Sequence, residues 1–248
     1  MTLVALMFCL RGTQPAYAQL PKLDSVIDIT NPEDPQEVSK ALQVMIWLTV
    51  LTMAPAILLM TTCFSRIVMV LGFLRQAMAT QSMPSNQVVV GLALFLSFFI
   101  MSPVWIEIKS NAYEPYIAEE ITQAEALEKA LVPMRRFMFT QIEMHNNQKD
   151  IALFINLAEL PPPATRDDVP THVLIPAFII SELEIAFTIG FLIYVPFLII
   201  DMVVASTLMS MGMMMLPPIF ISLPFKIVMF ILADGWYHLI QSLVQGFG

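Results

Sequence analysis

The chain has 248 residues, of which 57% are hydrophobic and 13% charged. Soluble domains carry about 25% charged residues, so this composition, with a mean hydropathy of +0.74, marks a membrane or membrane-derived protein. The net charge of −8 and the lack of any basic stripe exclude nucleic acid as a partner, because phosphate binding needs clustered Lys and Arg.

The chain opens MTLVALMFCLRGTQPAYAQL, which reads as a secretory signal. The apolar run from Leu3 to Leu10 is too short to span a bilayer, and Ala16-Tyr17-Ala18 supplies a small-residue cleavage site before Gln19. The expected organisation begins with a signal peptide over 1–18 and a periplasmic segment over 19–40. A first apolar helical hairpin over 41–107, a helical periplasmic region over 108–175 and a second apolar hairpin over 176–248 follow. Cys9 falls inside the signal, so cleavage leaves Cys63 as a lone packing residue with no partner for a disulfide.

Residues 41–65, 76–106, 185–200 and 202–225 contain no charge. A stretch of about 18–20 apolar residues is long enough to cross a membrane. Four spans are predicted, over 42–64, 86–107, 178–203 and 217–241. Flanking charge orients them. Segment 19–40 holds five acids and two bases, loop 65–83 holds Arg66 and Arg75 and no acid, and 107–170 holds eleven acids and six bases. Lys and Arg are enriched on the cytoplasmic side, so 65–83 is expected inside and both acidic segments outside. Alternation then places the turn near residue 212 inside and the C-terminus outside.

In the polar middle, Ile117, Ile121, Ala124, Leu127 and Leu131 recur at helical spacing. That helix is expected to stop before Pro133, with further helices over 134–145 and 150–159, the last ended by Pro161-Pro162-Pro163. Pro55, Pro103, Pro176, Pro196, Pro217, Pro218 and Pro224 interrupt or border the apolar stretches. Glu182, Glu184, Asp201, Lys226 and Asp234 place charge among them. Intramembrane charge is expensive and points to function or assembly, so these helices are expected to face protein or water as much as lipid. No enzyme signature is present. His145, His172 and His238 stand alone, there is no His or Cys at metal-ligand spacing, and no glycine-rich loop could hold a phosphate. No cofactor is expected.

Residues 208–218 read LMSMGMMMLPP, with five methionines in eleven residues. Met is unbranched and flexible, a poor choice for a specified core but a good one for a deformable surface. A hairpin turning here puts Asp201 and Lys226 at nearly equal distances, twelve or thirteen residues, from the turn. Both would lie about 18 Å from the apex at 1.5 Å per residue. The residues alone leave two readings open. In one, a pair within the chain merely neutralises charge; in the other, Glu182, Asp201 and Lys226 pair across subunits and specify assembly.

PAFIISELEIAFTIGF (176–191), PFLIIDMVVASTLMSMGMMMLPPIFISLPFKIVMFILADGW (196–236) and FSRIVMVLGFLRQAMATQSMPSNQVVVGLALFLSFFIMSPV (64–104) closely resemble the FliP family, a core component of the flagellar type III protein-export gate. The resemblance runs from about residue 41 onward apart from the polar middle. It implies an all-α subunit of membrane-derived hairpins that joins other copies of itself and FliQ and FliR subunits in a pentamer-like ring. An FlhB-type gate subunit, membrane lipid and unfolded flagellar export substrates would be its other partners. The ring would be the pore that admits those substrates at the inner membrane, much of it displaced toward the periplasm.

On this resemblance Met209, Met211, Met213, Met214 and Met215 map to a gasket around the closed pore, and Glu182 and Lys226 to the family's buried acid and lysine. Gly212, Pro217 and Pro218 would keep the loop out of a continuous helix. The rival readings are a small-solute or ion transporter with broken helices and a purely structural membrane scaffold.

Overall fold

A computed structural model describes residues 35–80, 83–213 and 216–248. The expected signal peptide and most of segment 19–40 lie outside the described residues, as do Met214 and Met215. The described residues are all α, with no strand. The chain divides into two units between Ala54 and Pro55, inside the first helix.

Helix α1 spans Pro35–Met60 and carries Pro55 internally. Leu42, Ile46, Trp47, Leu51 and Met53 are all exposed. Two of its hydroxyls are satisfied within the helix, Thr49 Oγ1 donating to the Met45 carbonyl at 2.8 Å and Thr52 Oγ1 to the Thr49 carbonyl at 2.9 Å. This is what a helix in hydrocarbon requires, since no water is there to hydrogen-bond.

The remaining helices form the second unit. They are α2 (Phe64–Ala77), α3 (Asn86–Ile100) and α4 (Ser102–Ile108), a π-helical turn (Lys109–Tyr113), α5 (Glu114–Ile117), α6 (Gln123–Met144), α7 (Gln148–Leu157), α8 (Thr171–Ser210), α9 (Pro218–Leu232) and α10 (Gly235–Gln245). Its spine is the 40-residue α8, against which α2, α6, α7 and α9 pack. On α2, Ile67, Val70, Leu71, Leu74 and Ala77 form one apolar stripe that meets Ala186 and Phe197 of α8 and Leu239 and Leu243 of α10 in the first core. The approach is close at Gly190, where an added Cβ would stand 2.4 Å from Cδ2 of Phe73. A second core joins Met138, Phe139 and Ile142 of α6, Ile151 and Ile155 of α7, and Val173, Leu174, Ala177 and Phe178 at the start of α8.

Several expectations change. The amphipathic helix does not end before Pro133. Pro133 is buried inside a continuous α6, which also absorbs the helix expected over 134–145. A missing N–H normally breaks a helix; here a capping box holds the first turn and the second core holds the last ones. Nor does α6 begin at Ile117, because Glu119 takes a left-handed φ of 59° and the chain turns before Gln123. Loop 65–83 is mostly helix α2, and its face lies in the core.

Of the four expected spans, two are single helices long and apolar enough to cross a membrane, Leu42–Met60 and Thr171–Ser210. The other two are bent pairs, α3 with α4–α5 at 57° and α9 with α10 at 63°. The second bend falls at Asp234, whose φ is 47°, and not at Pro224, which α9 accommodates.

Candidate gating hairpin

The α8–α9 hairpin ends in the Met-rich turn. Gly212 takes φ 76°, the left-handed region that glycine enters without a Cβ penalty. Met213 N donates to the Leu208 carbonyl and Gly212 N to the Met209 carbonyl, each at 3.1 Å. These two bonds are a Schellman motif, which stops α8 and satisfies its last carbonyls. Pro217 caps α9 and Pro218 is its first residue, where a missing N–H is harmless. Met209, Met211 and Met213 are exposed on this turn.

Below the turn an apolar cleft of about 450 Å³ runs along the two arms, lined by Val203, Val204, Thr207 and Leu208 of α8 and Ile221 and Phe225 of α9. The arms are tied at its base. Lys226 is 2% exposed, and its Nζ donates to Asp201 Oδ2 at 2.6 Å and to the Ala77 carbonyl at 3.1 Å. Ser222 Oγ donates to Asp201 Oδ1 at 2.6 Å. One lysine thus joins both arms to the end of α2. The equal distances of Asp201 and Lys226 from the turn are realised within one chain.

Glu182 does not join that pair. It is fully buried and is gripped by Arg66, with Nε to Oε2 at 2.8 Å and Nη2 to Oε1 at 2.5 Å. Arg66 Nη1 also donates to the Gly246 carbonyl at 3.0 Å and Nη2 to Gln141 Oε1 at 3.3 Å. The Phe247 ring lies 3.9 Å from the guanidinium, and Gln141 Nε2 donates to the Phe247 carbonyl at 3.1 Å. α2, α6, α8 and the C-terminal segment therefore share one buried charge pair. The planar fork of Arg suits this two-oxygen grip.

Charge patterning treats Arg66 as a loop cation, but it is buried on α2. The signal was present: FSRIVMVLGF isolates Arg66 among apolar residues, the same circumstance that made Lys226 demand an acid. Nearby, His145 is held below its ordinary value, chiefly by burial and then by the Arg66 charge, so the imidazole adds no second cation to the cluster. Glu184 lies outside it, on the surface, paired with Lys149 at 3.0 Å.

These features define an all-α protein of membrane-capable helices, with a methionine-tipped hairpin tied by the Lys226–Asp201 ion pair. The FliP family model matches residues 47–243, and the chain belongs to the FliP family. It is 53% identical over 225 residues to the flagellar biosynthetic protein FliP of Bacillus subtilis strain 168, covering 91% of this chain and all of that one. It is 47% identical over 231 residues to the protein of that name from Pectobacterium carotovorum, covering 93% and 87%. The relative from Aquifex aeolicus is 42% identical over 233 residues, 93% of each chain.

Proposed function

We propose that this chain is a pore-forming core subunit of the flagellar type III protein-export gate, passing unfolded flagellar proteins across the bacterial inner membrane. As a FliP-family protein it is a component of the flagellar export apparatus, and its apolar helices make it a membrane protein. The observation that carries the finer reading is the hairpin: an exposed methionine tip over an unclosed apolar cleft, with both arms pinned at the base by Lys226 and Asp201.

Several such tips converging on one axis, from copies of this chain with FliQ and FliR subunits and an FlhB-type neighbour, would close it with an apolar constriction that excludes water and ions. Unbranched thioethers can repack around side chains of many shapes, which suits a pore that passes many sequences. Glu182, Asp201 and Lys226 act in this reading as rigid roots that set assembly geometry.

The test is the conductance of purified assemblies in planar bilayers. Replacing Met213, Met214 and Met215 together with Ala shortens the seal, and the expected result is a raised resting conductance with the assembly intact. Equal conductance from intact assemblies overturns the seal.

A further inference from the structure

The second half of α6 packs Met138, Phe139 and Ile142 into the second core, and Met134 packs against the first. The same helix face continues back toward the N-terminus as Leu131, Leu127 and Ala124. Steps of three and four residues alternate along 124, 127, 131, 134 and 138, the seam with which one helix meets another. The core covers only the later half of the seam. Leu127 is 64% exposed and Leu131 40%.

A free helix of three turns is marginal in water. This one is held in place, since Glu125 N donates to Thr122 Oγ1 at 3.3 Å and Thr122 N to Glu125 Oε2 at 2.8 Å. α4 and the π-helical turn support its other side. The arm is therefore preformed with half its seam bare.

Charge identifies what fits. From residue 110 to 128 there are five acids and no Lys or Arg. A second copy offering the same face would set Glu against Glu, and an anionic lipid surface would be repelled. Among the described side chains a second copy also has few cations to offer from elsewhere. Lys109, Arg136, Lys149 and Arg166 are already paired with acids of their own chain. Arg66 and Lys226 are buried, Arg135 is bonded to Thr171 and to the Val169 carbonyl, Arg75 is half-buried, and Lys129 is on the arm itself. We propose that the bare seam of α6 is a docking face for an amphipathic helix of a different chain, apolar along its own seam and flanked by Lys or Arg. This site is separate from the hairpin and does not depend on the pore reading.

The test uses the full chain held in amphipol and two labelled helical peptides of about three heptads, identical along a Leu seam and flanked either by Lys or by Glu. Fluorescence anisotropy should show the Lys peptide binding, more weakly as salt rises, and the Glu peptide not binding. Leu127→Gln, at an exposed position that leaves the helical circular dichroism unchanged, should weaken binding about 30-fold, the loss of a central interface residue. Glu128→Lys should weaken it as well. The proposal is overturned if Leu127→Gln leaves the affinity unchanged or if the Glu peptide binds equally. It is also overturned if Leu127→Gln instead splits a homo-oligomer or abolishes binding to anionic vesicles, because the seam would then serve a second copy or a membrane.

Discussion

Arg66→Met tests whether the buried pair holds the second unit together. The substitution keeps most of the side-chain bulk and removes every donor. It strands the Glu182 carboxylate, which is fully buried and has no other hydrogen-bond partner among the described residues. It also frees Gln141 Oε1 and the Gly246 carbonyl. Breaking one side of a buried pair costs about 3–5 kcal/mol, and a freed neutral acceptor adds about 1 kcal/mol. Folded proteins are stable by only about 5–15 kcal/mol, so the single variant should be near unfolding.

The double variant Arg66→Met, Glu182→Leu removes both charges, and apolar replacement of a buried pair is often neutral. Thermal unfolding of the detergent-solubilised chain should therefore place the double variant well above both single variants and below wild type by about 2 kcal/mol, for the two acceptors that Arg66 no longer satisfies. A double variant that loses the sum of the two single losses refutes the reasoning, because it would mean that Arg66 and Glu182 are not coupled. Deleting residues 246–248 should fall between, since it removes the Phe247 ring and the Gly246 carbonyl but leaves the pair.

Lys226→Met should cost less, about 1–3 kcal/mol, because the Asp201 side chain is 33% exposed and keeps its bond from Ser222; Asp201→Asn in the same background should recover part of the loss in thermal unfolding. Gly190→Ala should lower stability by about 1–3 kcal/mol through overpacking against Phe73. Gly91→Ala in α3, where nothing lies within 4 Å of the new methyl, should be neutral or stabilising by up to about 1 kcal/mol. Asp150 is buried in α7 with Oδ2 lacking a partner. Burial first, and the Glu184 charge second, push its carboxyl above the ordinary 3.8, against a smaller opposing pull from Lys149. The native state then binds this proton more tightly than the unfolded chain, so the contribution of Asp150 to stability should be greatest below about pH 4 and decline as pH rises through the raised value. Asp150→Asn should flatten that slope in a pH series of unfolding curves, and an unchanged slope would remove Asp150 from the account.

Charge-free runs make the apolar helices legible, and equal distances from the Met-rich turn make Asp201 one of two candidate partners for Lys226, beside Glu182. Both signals depend on chain spacing alone. What was not legible depends on who packs against whom. Pro133, Pro176, Pro196 and Pro224 all sit inside helices, because long neighbours and apolar surroundings outweigh the loss of one backbone bond each. The bend at Asp234 has no proline of its own. Arg66 was counted toward topology because flanking charge is a useful guide to orientation, yet a cation neutralised by a distant acid carries no such information. Glu182 lies 116 residues away in the chain, and nothing local marks it as the partner.

The hairpin joins a hydrogen-bonded root to a tip on which Met209, Met211 and Met213 are exposed, and the proposed seal needs both. At the root, Lys226 fixes α8, α9 and α2 to one another through directional bonds, so the arms cannot slide. Above it Val203, Val204, Thr207, Ile221 and Phe225 face an open apolar cleft, so their side chains can shift while the bonds at the root stay in place. Flexibility of the side chains is then a separate requirement from their apolarity, and replacing Met213, Met214 and Met215 with Leu separates the two. Leu keeps the oily surface but branches at Cγ and has fewer rotatable bonds, so it should hold resting conductance at the wild-type level. It fits fewer shapes, and export of substrates rich in bulky side chains should slow while small ones pass normally. Paired measurements of conductance and of secreted flagellar protein in the Leu and Ala variants give the answer. If Leu leaks as Ala does, side-chain shape rather than apolarity makes the seal; if Leu exports every substrate at the wild-type rate, methionine's flexibility has no part in the passage, and only its hydrophobic surface remains to explain the cluster.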